Sequence, residues 1–316
     1  MKRLFITTLS FTGLTIALYL LGFAVLFFFR ISGIPLIYRT SFALNWEGGG
    51  TYQRFQEFNP SDKYDAIFLG SSTARQGYDP RLFQSFGVNS FNLGSSGQGI
   101  MQSYLIAKNY LNRSNTDLII LDLFEGAFRT NGLESSADLI QNLDSDRTAL
   151  EVAWTLGDIR AINMYVLRLF SKFTTPLYES EYYVGLGFEE RIDSVQHTPS
   201  YPTAFSSPKE RHLRYFNKFL SHCQEEGITV ILVYPPKPKE HALSFQEAFL
   251  AQIESVAQPY DVATWNFGSA HGLHSHHHFY DHHHLNQAGV EIFNTTLIQR
   301  LQQSGKLVQH PISSAK

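Results

Sequence analysis

The chain has 316 residues with 25 Lys and Arg against 28 Asp and Glu, a formal net charge of −3 with neutral histidines. Charge so evenly balanced lacks the basic footprint of a nucleic-acid binder. With 43% hydrophobic, 14% aromatic and 17% charged residues, the chain is too apolar to stay disordered and can bury a large core. The single cysteine, Cys223, excludes internal disulfides and cysteine-based zinc clusters, so stability must come from packing.

The first element is apolar throughout. Leu4 to Phe29 carries no charge, and at about 1.5 Å rise per residue it reaches roughly 39 Å, enough to cross a bilayer with some tilt. The run is longer than the apolar region of a cleaved secretory signal, and FFRISGIPLIY behind it offers no good cleavage site. Residues 1–30 are therefore expected to be an uncleaved transmembrane signal anchor whose partner is the membrane lipid bilayer. Lys2 and Arg3 precede it and Arg30 and Arg39 follow, so the positive-inside rule leans toward a cytoplasmic N-terminus. The following domain would then lie outside the cell membrane, periplasmic or extracellular. Without residues 1–30 the chain keeps 22 basic and 28 acidic side chains and is mildly acidic. Residues 31–62, with Pro35, Gly48-Gly49-Gly50 and Pro60, read as a connector.

From Lys63 a repeating pattern begins. Asp65–Leu69, Ser90–Leu93, Leu118–Leu123, Thr229–Tyr234 and Ala263–Phe267 are short apolar runs bounded by turn residues, the mark of buried parallel strands. Pro80–Phe86, Gly99–Leu111, Ser207–Glu226, Ser244–Val256 and Gln287–Gln303 alternate with them as helices. The pattern predicts an α/β fold: a three-layer α/β/α, flavodoxin-like domain over residues 63–305 with about five parallel strands, and a tail at 306–316. Residues 126–205 are too long for a simple crossover. They hold amphipathic helices at Leu133–Asn142 and Arg147–Phe173 and a tyrosine-rich stretch with Tyr182, Tyr183 and Tyr201. This insertion is expected to cap the carboxyl edge of the sheet, where open α/β sheets bind ligands.

The chemistry gathers at two strand ends. The first strand runs through Gly70 into Ser71-Ser72-Thr73, which exposes a serine at a turn. Near the other end stands Asp281-His282-His283-His284. Three residues make one turn, so Asp281 can reach Nδ1 of His284 while Nε2 faces a serine from the first strand. A serine hydroxyl is a weak nucleophile until a base takes its proton, and the base needs an orienting group.

Gly70-Ser71-Ser72, Asn92-Leu93-Gly94 and Asp281-x-x-His284, in this order, resemble the SGNH, or GDSL-type, hydrolase superfamily in its membrane-anchored Gly-Ser-Ser form. The resemblance spans residues 63–305. It implies a Ser72 nucleophile, a His284 base and an Asp281 orienter, with the backbone amides of Ser72 and Gly94 forming the oxyanion hole. The family's third block, Gly-x-Asn-Asp, is missing: the third strand runs into Leu123-Phe124-Glu125-Gly126. Gln98 and Asn131 are candidates to replace the lost Asn donor, and Arg75 is a candidate contact for an anionic substrate group.

Eight of the 13 histidines fall between His271 and His284, and neutral imidazole is a common metal ligand. No carboxylate or cysteine stands at a recognised ligand spacing, so the run reads as a solvated loop. Neither a metal nor a cofactor is expected. The resemblance implies a serine esterase or O-acyltransferase acting through an acyl-enzyme on an acyl ester of an envelope glycan or lipid, with membrane acyltransferases as candidate partners and no nucleic acid partner. The competing expectations are a non-catalytic SGNH-like assembly protein and a His-rich metal-binding envelope protein.

Overall fold

The computed structural model describes residues 1–39, 50–171, 180–194, 207–238, 243–260, 262–268 and 272–307. Tyr201 and His271, named above, lie outside them. The helices in chain order are α1 (Lys2–Phe28), α2 (Tyr52–Glu57), α3 (Ser72–Gly77), α4 (Pro80–Ser85), α5 (Ile100–Tyr110), α6 (Leu133–Asn142), α7 (Asp146–Leu156), α8 (Ile159–Ser171), α9 (Glu210–Glu225), α10 (Leu243–Ala257) and α11 (Gln287–Gln303). The chain divides into two compact units, residues 1–49 with 137–178, and residues 50–136 with 179–316.

In the first unit α1 is apolar on all sides: Leu4, Phe5, Leu9, Phe11, Leu14 and Leu21 are all exposed. Among the described residues it is the one helix long and apolar enough to cross a membrane. Its C-terminal half packs on α8, where the Phe27 and Phe170 rings lie 5.8 Å apart and Tyr19 donates to Asn163 Oδ1 at 2.6 Å. The amphipathic run predicted over Arg147–Phe173 breaks in two at Gly157, which ends α7 with φ 70° in the left-handed region. Arg168 is buried. Its guanidinium donates to the carbonyls of Ile140 and Gln141 at the end of α6 and to Asp146 Oδ1, satisfying orphan carbonyls as a basic side chain does at a helix C-terminus.

The second unit is built on β1 (Tyr64–Leu69), β2 (Ser90–Asn92), β3 (Thr116–Asp122), β4 (Thr229–Tyr234) and β5 (Ala263–Asn266). They form one parallel sheet in the order β2-β1-β3-β4-β5, and helices cover both faces. Each expected strand is present within about two residues of its expected ends. Ala66, Phe68, Ile120, Ile231 and Val233 share a core with Phe83 of α4 and Val290, Phe293 and Leu297 of α11. Ile67, Leu69, Ile119, Leu121 and Leu232 are equally buried and, by the alternation of the strand, point the other way, toward the side where α9 packs on β4 and α5.

The register pairs Phe68 with Asn92, Leu69 with Leu121, and Asp122 with Val233. The carboxyl ends of four strands therefore meet along one edge. Residues 50–62 and 180–194 also belong to this unit. The buried Arg54 of α2 donates to the carbonyls of Asn92 and Gly187, tying β2 to the antiparallel pair Tyr183–Gly185 and Phe188–Glu189.

Candidate active site

Gly70 carries the chain from β1 into α3. Its φ is 149°, and a Cβ there would lie 2.7 Å from Asp122 Cβ and 2.9 Å from Ala74 Cβ. Both conformation and space therefore demand glycine. Ser71 caps α3 and Ser72 is its first helical residue, so the Ser72 amide is one of the orphan donors of a helix start.

Asp122, fully buried at the end of β3, holds this turn from below. It accepts from Thr73 Oγ1 at 2.6 Å, Tyr78 Oη at 3.1 Å and the Phe124 amide at 3.2 Å. Burial pushes its carboxyl up to about 6, against the lowering influence of the Thr73 hydrogen bond and the Lys237 charge.

The loop before α11 carries Asp281 and His284. Asn286 caps α11 by accepting the Gly289 amide at 3.1 Å and donates to the His277 carbonyl at 2.8 Å, while Phe279 and Leu285 form an antiparallel bridge. Within this pinned turn Asp281 Oδ1 accepts the amides of His283 and His284, each at 2.9 Å. Its Oδ2 lies 2.7 Å from His284 Nδ1, and His284 Nε2 lies 2.7 Å from Ser72 Oγ. The three residues named from the sequence thus meet in one relay.

Burial opposes ionisation of Asp281, but the hydrogen bond and charge of the His284 ring and the His283 amide outweigh it, so its carboxyl is held well below the usual range. Burial lowers the proton affinity of His284; Asp281 counters this, while the Arg75 charge adds to it. Tyr280 stacks on the His284 ring with centroids 5.3 Å apart and planes 7° apart, and fixes its own hydroxyl on Gln76 Oε1 at 2.5 Å.

The oxyanion residues fare differently. Asn92 donates to the carbonyls of Ala74 and Tyr78, both at 2.8 Å, and its Oδ1 accepts the Gly94 amide at 2.9 Å. The Gly94 N–H expected to face an oxyanion is thus bonded to Asn92. Glu125, where the missing Asn would stand, is locked between the Tyr234 hydroxyl and Lys237 Nζ, the latter at 3.0 Å.

Neither proposed substitute donor is placed at the relay. Gln98 is fully buried, bonded to Ser95 and Ser103. Asn131 accepts the Leu133 amide and lines a separate pocket with Met101, Lys209 and Tyr215. Arg75 pairs with Glu189 at 3.2 Å. Asp122, Tyr280 and Arg54 are site-building residues that the sequence does not single out, and Asn92 enters there only as part of the Asn92-Leu93-Gly94 motif. An Asp inside the apolar run LIILDL was the one visible signal for Asp122.

One family model matches residues 155–305, just under half of the chain. No curated protein matches it. Among solved structures it is similar to a GDSL-like lipase from Bacteroides thetaiotaomicron, with 11% identity over 80% of this chain and 96% of that one and a TM-score of 0.41. It is also similar to a lipase/acylhydrolase from Enterococcus faecalis, with 12% identity over 78% and 98% and a TM-score of 0.38. An acetylxylan esterase from Geobacillus stearothermophilus gives 10% identity over 80% and 100% and a TM-score of 0.40. The chain's own parallel sheet runs in the order β2-β1-β3-β4-β5, with Ser72 just past the first strand and Asp281 and His284 ahead of the last helix, which is the α/β arrangement expected from the sequence.

Proposed function

We propose that this protein is a membrane-anchored serine esterase or O-acyltransferase acting outside the cytoplasm on an acyl ester of an envelope glycan or lipid. The observation that carries the reading is His284 set 2.7 Å from both Ser72 Oγ and Asp281 Oδ2. Ser72 Oγ attacks the acyl carbonyl as its proton passes to His284 Nε2. Asp281 holds the ring's tautomer and stabilises the imidazolium, and the Ser72 amide donates to the oxyanion. Collapse of the tetrahedral intermediate breaks the ester bond, and His284 returns the proton to the departing alcohol. Water or a sugar hydroxyl then gives its proton to His284 and attacks the acyl-enzyme, releasing Ser72.

The apolar length of α1 supports anchoring, and a tethered domain suits a polymer or lipid acceptor better than a free metabolite. A second reading, a non-catalytic assembly protein of an acyl-transfer machine, is favoured by the internal bonding of Gly94, Gln98 and Glu125. Incubating the detergent-solubilised full chain with p-nitrophenyl acetate separates the two. Hydrolysis and fluorophosphonate labelling that vanish in Ser72→Ala and persist in Ser71→Ala support the enzyme; serine-independent background alone supports the assembly protein.

A further inference from the structure

Behind the relay, His283 has no role in the chemistry above, yet it is firmly placed. Its ring stacks on Phe124 with centroids 5.1 Å apart and planes 7° apart, and it also borders the His284 ring at 3.8 Å and the His282 ring at 4.2 Å. Its Nδ1 is buried and has no hydrogen-bond partner, and it lies 3.8 Å from Asp281 Oδ1. The catalytic His284 Nδ1 lies 2.7 Å from the other oxygen of the same carboxylate. One ligand atom from each of the three residues falls within 4.8 Å of the others.

We propose that Asp281, His283 and His284 form an inhibitory site for a zinc-like divalent ion, and that occupying it switches the catalytic relay off. Zinc bonds imidazole nitrogen and carboxylate oxygen at about 2.0–2.2 Å, so ligand atoms around one ion lie roughly 3.0–3.6 Å apart. The observed separations bracket that range, and small ring rotations complete the set. Two imidazoles and one carboxylate suit a borderline transition ion, with water in the remaining position. Calcium and magnesium need more oxygen ligands than this turn provides. The sequence showed no carboxylate at a recognised metal spacing; the turn supplies one by folding Asp281 back onto the imidazoles two and three residues later.

The inhibitory sense follows from the tautomer and rests on the relay proposed above. Neutral His284 keeps its proton on Nδ1, donating to Asp281, and offers Nε2 to the Ser72 hydroxyl. An ion bound at Nδ1 takes that lone pair, and the proton moves to Nε2, which then donates to Ser72 Oγ. The ring can no longer accept the serine's proton. The Nδ1–H bond is exchanged for an Nε2–H bond and Nδ1 gains a reversible coordinate bond to the ion, with no change of oxidation state, so chelation reverses the effect.

The test uses the full chain in detergent, stripped of metal and titrated with zinc chloride. Zinc should suppress ester hydrolysis, EDTA should restore it, and calcium chloride should leave it unchanged. His283→Gln should keep metal-free hydrolysis, raise the inhibitory zinc concentration by about tenfold or more, and lose one tightly bound equivalent by calorimetry. A His276→Gln/His277→Gln double variant, in the neighbouring loop, should keep both. Unchanged inhibition in His283→Gln, or inhibition lost with the loop pair instead, overturns the proposal. Calorimetry on Ser72→Ala separates this failure from that of the catalytic reading. The His283-dependent zinc equivalent should persist there even if no hydrolysis is ever seen, and its absence there overturns the metal site alone.

Discussion

Asn92 Oδ1 accepts the backbone amide of Gly94 at 2.9 Å, while the same side chain donates to the carbonyls of Ala74 and Tyr78. One buried amide therefore joins the end of β2, the turn after it and the last turn of α3. Removing it takes this partner from the Tyr78 carbonyl and the Gly94 amide, while the Ala74 carbonyl keeps the Tyr78 amide, at about 1–3 kcal/mol for each unsatisfied group. Asn92→Ala is expected to lose about 2–6 kcal/mol of stability on this scale, and more activity than stability alone explains, because α3 carries Ser72. Urea denaturation of the variant beside its hydrolysis rate below the transition checks both.

The pH dependence of hydrolysis should follow His284. Its proton affinity is lowered by burial, with Asp281 only partly compensating, and the reaction needs the neutral ring. Activity should rise as pH increases through the His284 pKa, with the acid limb below about 6.5, the ordinary histidine value. Asp281, held below the usual carboxylate range, stays ionised across this window. A kcat/KM profile from pH 4 to 9 reads the limb directly; an acid limb above the ordinary histidine value contradicts the assignment.

Asp122 predicts an opposite trend in stability. Its carboxyl is pushed from 3.8 to about 6 by burial, so the folded state holds that proton more tightly than the unfolded chain. The stabilisation is fully present below about pH 4 and is lost as pH rises through 6, up to about 3 kcal/mol by linkage. Asn at this position keeps an acceptor for the Thr73 hydroxyl and the Phe124 amide without a charge. Asp122→Asn should be more stable than the parent at pH 8, with the difference shrinking toward pH 4, measured by denaturant midpoints at each pH.

Much of the architecture was legible because its signals are local. Ala66–Leu69, Ile119–Leu121 and Ile231–Val233 are apolar on consecutive residues, which only strands covered on both faces require. The amphipathic pattern over Arg147–Phe173 was equally plain, but its division at Gly157 needed the left-handed backbone. The site was readable where residues act at short range. Gly70 marks the turn, and Asp281 sits three residues before the imidazole it orients.

By itself the sequence determined the apolar length of α1, the run of buried parallel strands and the one-turn spacing of Asp281 and His284, since periodicity, composition and short spacings are properties of neighbouring residues. Only the tertiary structure decided which polar groups face the reaction and which hold the frame. Gln98 turned to Ser95 and Ser103, Glu125 to Lys237 and Tyr234, and Asn92 to the backbone of α3. The physical reason is that a buried polar atom must find its partner among whatever chain segments packing brings beside it, and those partners lie far away in sequence.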